Sequence, residues 1–167
     1  WNYEDGQSVR VVCYTNAPFA RLVLNGKEVG ETKPYDKNTG IIFWDIPYQR
    51  GTLRAEGLDE GGKLLSSYEI HTPLRPKSLR VSADTNTLEG DRSVVHLLVE
   101  VLDDNGNVCS PADNVILCTV EGPARLLGLE NSDNSDTSDH SDNRQRAFRG
   151  QLLAYIGSAG EPGEVVV

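Results

Sequence analysis

One segment of the sequence, residues 131–143, is dense in oxygen ligands. Its aspartates recur every three residues with serines and asparagines around them, at Asp133, Asp136, Asp139 and Asp142. Clustered carboxylate and amide oxygens suit Ca²⁺, which takes about six to eight of them. The glycine and the closing glutamate of an EF-hand loop are missing, so the spacing is not that of an EF-hand. The four aspartates are a candidate Ca²⁺ site. The alternative is a solvated loop in which Asp and Ser bond their own backbone.

Aromatic side chains are the second group that could bind a ligand, because a flat ring can stack on the face of a sugar. Trp44 and Tyr48 stand close together near the end of an apolar segment and are the candidate sugar contacts. The alternation of apolar residues around Trp44 also suits a buried anchor of a β-sandwich. Both interpretations stay open at this point.

The motifs that catalysis would require are missing. The sequence contains neither a GxSxG nucleophile elbow nor an HExxH zinc motif. Residues 57–63 fit GxxxxGK, but Leu64 follows where a phosphate loop needs Ser or Thr to hold Mg²⁺. None of the 25 acidic residues has the apolar or aromatic neighbours that would mark a raised pKa. We therefore predict no catalytic residue.

Composition excludes several classes of partner. The formal net charge is -9, so the chain lacks the excess of basic residues that a nucleic-acid-binding surface needs. No apolar run approaches the ~20 residues that span a bilayer, so no membrane segment is predicted. The three cysteines include no CxxC pair, which disfavours a redox motif or a zinc site. Pairing of Cys109 with Cys118 stays open.

The chain begins at Trp1 without a signal peptide and contains no methionine, which predicts a piece excised from a longer protein. The compartment therefore stays unknown, and the parent protein could be periplasmic or secreted. No cofactor is predicted apart from the candidate Ca²⁺.

Short alternating segments separated by turns predict an all-β fold. In the first half they are residues 9–14, 21–24, 27–29, 41–46, 52–56 and 64–70. Asn25-Gly26 predicts a two-residue type I′ hairpin, because both turn residues need positive φ. In the second half they are residues 79–83, 95–101, 115–120, 124–129, 152–156 and 164–167, the last of which looks clipped. Strands at a spacing of about 8–12 residues are typical of a β-sandwich.

The prolines Pro73 and Pro76 lie between the two halves. Each fixes φ and removes a backbone donor, which disfavours both helix and regular ladder pairing. We expect the domain boundary here, with one β-sandwich over residues 1–74 and a second over residues 75–167.

Several segments, taken in their order along the chain, resemble segments of one enzyme family. They are Trp1-Asn2-Tyr3, residues 9–16 (VRVVCYTN), residues 20–27 (ARLVLNGK), residues 121–130 (EGPARLLGLE) and residues 146–150 (RAFRG). In this order they resemble the C-terminal domains of bacterial glycoside hydrolase family 2 enzymes of the β-galactosidase type. Residues 99–107 (VEVLDDNGN) resemble bacterial immunoglobulin-like repeats more generally.

The resemblance implies two consecutive immunoglobulin-like β-sandwich domains from a parent that hydrolyses β-glycosidic bonds, β-galactosides above all. The family's catalytic glutamates belong to a (β/α)₈ barrel, which this chain is too short to contain. The expected role is therefore a non-catalytic accessory fragment, whose partner is the missing barrel of the same polypeptide.

Two other classes stay open. A carbohydrate-binding module would expose an aromatic platform and take carbohydrate as its partner. An adhesin-like structural tandem of immunoglobulin repeats would have a rigid linker and no large apolar flank.

Overall fold

The computed structural model describes residues 1–167, and every regular element in it is a β-strand. The all-β prediction is confirmed. The chain divides into two compact units, Trp1–Thr72 and Pro73–Val167. No helix of the length and apolarity needed to span a bilayer is present.

The first unit consists of two antiparallel sheets. Its strands are β1 (Ser8–Cys13), β2 (Phe19–Leu24), β3 (Lys27–Pro34), β4 (Ile42–Pro47), β5 (Thr52–Leu58) and β6 (Leu64–His71). One sheet has the order β3-β2-β5-β6, and the other consists of β1 paired with β4. The core contains alternate residues of β2 and β4 together with β5, because successive side chains of a strand point to opposite faces. These core residues are Ala20, Leu22, Leu24, Ile42, Trp44, Ile46 and Leu53.

The hairpin between β2 and β3 has the predicted geometry. Leu24 pairs with Lys27, and the residues between them, Asn25 and Gly26, have φ of 51° and 80°. Positive φ at both positions is the mark of a type I′ turn. That prediction is confirmed.

The outer face of the four-stranded sheet carries a chain of ion pairs centred on Glu56. This carboxylate is only 3% exposed. It accepts a hydrogen bond from Arg21 at 2.6 Å and forms a salt bridge with Arg54 at 2.7 Å. Arg21 also pairs with Glu28, and Arg54 with Glu69. A buried carboxylate is costly unless it is paired. The two guanidinium groups supply that pairing across β2 and β5.

The second unit repeats the combination of a wide and a narrow sheet. Its strands are β7 (Ser78–Ala83), β8 (Val94–Leu102), β9 (Val115–Leu117), β10 (Ala124–Glu130), β11 (Arg144–Arg146) and β12 (Gln151–Ser158). Four of them form a sheet in the order β10-β12-β8-β7, and β11 pairs with β9 in the other. The core is built from alternate residues of β8 and β12 against Ile116, Cys118 and Ala147.

Apolar side chains of the edge strand β7 are much more exposed than those of its neighbour β8. Leu79 and Val81 pair with Val101 and Val99 and therefore share their face of the sheet. The β8 side chains are buried, whereas Leu79 and Val81 are 53% and 55% exposed. The narrow second sheet thus leaves the inner face of β7 uncovered.

Two features of the second unit differ from the sequence predictions. Strand β11 was not predicted, because its inward residue is the polar Gln145 between two arginines. The predicted strand over residues 164–167 is reduced to a single bridge between Val166 and Glu121. A strand needs a partner along its length, and here only one residue pair meets.

The close approach of Gly51 to the Asn25 side chain allows a test of how tightly the first unit is packed at this turn. The Asn25 side chain accepts a hydrogen bond from Thr52 N–H and donates one to Arg50 C=O, both at 2.9 Å. A Cβ on Gly51, where φ is +130°, would lie 1.9 Å from Asn25 Oδ1. The side chain of Asn25 would have to leave both partners.

We expect Gly51→Ala to lower the free energy of unfolding of the first unit by about 3 kcal/mol. The control is Gly62→Ala. Gly62 also has a positive φ, +81°, but no atom lies within 4 Å of the added Cβ. It should cost about 1 kcal/mol for the backbone conformation alone. Urea unfolding followed by tryptophan fluorescence measures this, because Trp1 and Trp44 both belong to the first unit. Equal losses in the two variants would contradict the steric argument.

Candidate functional site

The structure places both candidate sugar contacts inside the first unit. Trp44 is 2% exposed and Tyr48 is 0% exposed. Trp44 Nε1–H donates to the carbonyl of Glu31 at 2.8 Å, and the Tyr48 hydroxyl bonds Thr72 Oγ1 at 2.9 Å. Neither ring presents a face to a sugar. Both residues are therefore corrected from candidate sugar contacts to core anchors, because the alternation of β4 points Trp44 inward.

The cluster of aromatic rings at the start of the chain forms no flat platform either. Trp1, Tyr3 and Tyr48 meet edge to face, with ring centroids 4.8 to 6.2 Å apart. Tyr155 donates to Glu130 at 2.7 Å, and this hydrogen bond raises the pKa of the Tyr155 phenol. Edge-to-face packing stabilises aromatic clusters but leaves no set of parallel faces for a sugar.

The aspartates of the loop at residues 131–143 each close a local turn. Asp133 accepts from the backbone N–H of Ser135, and Asp139 likewise from Ser141. Asp136 accepts from Ser138 N–H and from the amide of buried Asn131. Asp142 accepts from Asn143 N–H and Arg144. The bonds at Asp133, Asp136 and Asp139 are Asx turns, which compete with ligand binding for the same oxygens.

The four carboxylates do not converge. No group of three or more His, Cys, Asp or Glu in the structure could hold a metal ion. The geometry therefore lends the Ca²⁺ prediction no support, and it stays a prediction from composition.

Two further buried carboxylates besides Glu56 have strong donors beside them. The hydrogen bond from Arg80 holds the pKa of Glu100 below its ordinary value. The backbone N–H of Leu74, at 2.9 Å, lowers the pKa of Asp103. A general acid at neutral pH needs the opposite environment, an apolar one that raises its pKa. Neither Glu100 nor Asp103 is therefore a candidate proton donor.

No histidine is hydrogen-bonded to a serine hydroxyl or to a cysteine thiol. His71 Nδ1 bonds Thr52 Oγ1 at 3.0 Å, and His140 Nδ1 bonds the carbonyl of Leu129 at 2.9 Å. His96 Nδ1 bonds Asp84 at 2.6 Å, which lowers the pKa of Asp84. No histidine ring is hydrogen-bonded to a serine hydroxyl, as a Ser-His pair would require.

The cysteines are free thiols. Cys109 and Cys118 are buried, and burial raises the pKa of both thiols. Cys109 Sγ lies 3.6 Å from the carbonyl of Leu74. A buried thiol with a raised pKa behaves as a small apolar side chain rather than as a nucleophile.

Comparison with known proteins gives matches over both units. The family model described as glycoside hydrolase family 2 C-terminal domain 5 matches residues 79–167, and a domain of unknown function, DUF4982, matches residues 6–66. The β-galactosidase BoGH2A of Bacteroides ovatus is 32% identical over 98% of this chain, which spans 19% of that enzyme. A putative β-glucuronidase of Formosa agariphila is 28% identical over 97% of this chain, which spans 16% of it.

A solved structure shares the arrangement of strands. It is the crystal structure of a β-glycosidase from Bacteroides vulgatus, with a TM-score of 0.88 and 28% identity. The similarity covers 97% of this chain and 21% of that one. The chain thus spans about a fifth of the solved relative and of the B. ovatus enzyme.

The environment of Asp103 predicts the response of the second unit to acid. Its carboxylate accepts from the backbone of Leu74, Asn105 and Asn107. Because the folded-state pKa is lowered, ionised Asp103 stabilises the folded unit above its unfolded pKa of about 3.9. That contribution is lost as the pH falls through the folded-state value.

We expect Asp103→Asn to lower the melting temperature of the second unit near neutral pH and to flatten its decline below about pH 4. Calorimetric melting across this range measures both effects. The control is Glu89→Gln, an exposed acid of the same unit, which should behave as the unsubstituted protein does. The argument would be contradicted if the melting temperature of the Asp103→Asn variant fell with pH as steeply as that of the unsubstituted protein.

Proposed function

Because this chain belongs to the C-terminal domains of bacterial family 2 glycoside hydrolases, we propose that it is a non-catalytic accessory part of a longer glycosidase. The proposal assigns bond cleavage to another part of that polypeptide. The observation that carries it is the state of the buried carboxylates. Glu56 and Glu100 are paired with arginines, and Asp103 accepts backbone N–H groups.

Glycoside hydrolysis requires the reverse arrangement. One carboxylic acid must hold its proton at working pH, and a second carboxylate must face it across the scissile bond. A guanidinium beside a carboxylate stabilises the ionised form and so removes the proton donor. The burial of Trp44 and Tyr48 also counts against a carbohydrate-binding module.

The substrate class of the parent follows from its relatives as a proposal. One relative is named as a β-galactosidase and another as a putative β-glucuronidase. We assign the parent to the hydrolysis of β-glycosidic bonds, with β-galactosides as the first substrates to try.

The face that contacts the rest of the parent is proposed on the outside of the narrow sheet of the first unit. Val12 and Phe43 pair across β1 and β4 on this face and are 39% and 40% exposed. Tyr14, the residue that follows β1, is exposed too. Exposed neighbouring apolar residues mark sites of protein contact. The partner we propose for this face is the catalytic barrel.

The isolated chain should not hydrolyse aryl β-galactosides or aryl β-glucuronides, whereas the longer polypeptide should hydrolyse at least one of them. Release of the aryl alcohol measures both. The substitutions Glu56→Gln and Glu100→Gln control for a contaminating enzyme, because contaminant activity would persist in these variants. Turnover that copurifies with the chain and is abolished by either substitution would refute the non-catalytic role.

The contact face predicts different effects in the fragment and in the parent. The pair Val12→Ser and Phe43→Ser should change the stability of the isolated chain by only about 0.5 kcal/mol per site, as is usual on a surface. In the longer polypeptide the same pair should lower the melting temperature clearly, because it replaces a covered apolar contact. The control is Leu65→Ser on β6, which is also exposed. Equal effects of the pair in the two proteins would contradict the proposed face.

A further inference from the structure

We propose that a cavity on the outer face of the wide sheet of the second unit binds a sugar acid, with Arg149 holding its carboxylate. The ligand class is a uronic acid, which is a sugar ring that carries one carboxylate. This binding goes beyond the accessory role proposed above and does not depend on it.

The arginine occupies a turn position that disfavours it. Phe148 and Gln151 exchange two backbone hydrogen bonds of 3.0 Å, and Arg149 and Gly150 between them have φ of 53° and 76°. This is a two-residue type I′ turn, whose first position prefers Asn, Asp or Gly. The hairpin between β2 and β3 has such a favoured pair. A left-handed backbone strains an arginine, and strain of this kind is concentrated where ligands bind.

The guanidinium of Arg149 has no anionic partner. It lies over the ring of Phe148, 5.3 Å from the ring centroid, and it belongs to no salt bridge. Arg80 and Arg146 of the same unit, by contrast, each pair with a carboxylate. A planar guanidinium can donate two parallel hydrogen bonds to a carboxylate. Arg149 therefore keeps this capacity for a ligand.

A cavity of about 380 Å³ adjoins the turn. Its lining includes Arg149 and Phe148 from the turn, Leu98 and Leu153 from the sheet, and Glu130 and Ser132 at the end of β10. Ser132 has a φ of 61°, so both non-glycine residues with a left-handed backbone in the second unit line this one cavity. Its volume lies within the range of small-molecule sites, which begins at about 300 Å³.

The cavity also offers acceptors for hydroxyl groups. Tyr155 donates to Oε2 of Glu130, and Nε2 of Gln151 donates to Glu100. These bonds leave Oε1 of Glu130 and Oε1 of Gln151 without a donor, and each can accept a hydrogen bond from a sugar hydroxyl. Glu130 and Arg149 line the same cavity without forming an ion pair. A ligand with a carboxylate at one end and hydroxyls at the other is complementary to both.

The apolar part of the lining suits a sugar ring. Leu98 and Leu153 pair across β8 and β12, and both are partly exposed on this face. Their side chains can contact the C–H groups of the ring. The site differs from the flat aromatic platform of a carbohydrate-binding module, because charge and hydrogen bonds select the ligand. A carboxylate side chain of another protein would bring no hydroxyls for Glu130 and Gln151.

Titration of the whole chain with galacturonate, followed by NMR of the backbone amides and the arginine Nε–H groups, tests the inference. Galacturonate should bind with a Kd of about 1 mM, as suits a ligand of this size. It should shift the signals of Arg149, Ser132 and Gln151. Galactose has the ring and hydroxyls without the carboxylate, and acetate has the carboxylate alone. Both should bind about tenfold more weakly or less.

The variant Arg149→Asn separates a role in binding from a role in the fold. Asparagine suits the turn better, so the melting temperature of the second unit should rise by about 2 °C. The affinity for galacturonate should fall by about tenfold or more, because the guanidinium is gone. Arg149→Lys keeps the charge without the planar fork and should bind about threefold more weakly.

The control is Arg92→Asn, which removes an exposed arginine from another turn of the same unit. It changes the net charge as Arg149→Asn does and should leave the affinity unchanged.

Three results would overturn the inference. The first is galacturonate that binds no more tightly than galactose or acetate. The second is unchanged affinity in Arg149→Asn. The third is a lower melting temperature of that variant, since the arginine would then serve the turn itself. None of them bears on the hydrolysis assay, so failure of the sugar-acid site and failure of the accessory role are distinguishable.

Discussion

Both units depend on covering one face of a four-stranded sheet with a sheet of only two strands. The central strands meet this requirement: Leu22 in β2 and Ile156 in β12 are almost fully buried. The edge strands do not. Tyr68 in β6 pairs with Ala55 and so faces the core side, yet it is 75% exposed, and Leu79 in β7 is in the same position. Since apolar burial is the main favourable term in folding, the centres hold each unit together and the edges contribute little.

The charged groups that stabilise these sheets also limit their chemistry. Glu56 lies between Arg21 and Arg54 on the outer face of the first unit, and Glu100 lies beside Arg80 in the second. Such pairs offset the cost of burying a carboxylate only while the carboxylate is ionised. At Glu100 the Arg80 hydrogen bond lowers the pKa, so the interaction that permits burial also keeps this group from serving as a proton donor. Structural and catalytic uses of a buried acid call for opposite environments, and here the structural one prevails.

The strands and the Asn25-Gly26 turn were predictable because period-2 alternation and positive φ are local properties of the sequence. The role of Trp44 was not, since alternation assigns a residue to a face of its strand but does not say whether another sheet covers that face. Strand β11 was hidden because its partner β9 lies more than 25 residues away and its buried residue, Gln145, is polar. The aspartate spacing suggested a shared ion, but nearby backbone N–H groups compete for each carboxylate and cost less entropy to reach.

A free strand edge beside uncovered apolar side chains is a liability for any protein that exists alone, because it can template pairing with another chain. The edge of β9 has no proline or lysine among Val115, Leu117 and Thr119 that would block such pairing. Natural edges are usually protected by charge, proline or cover, so the absence of the first two points to cover.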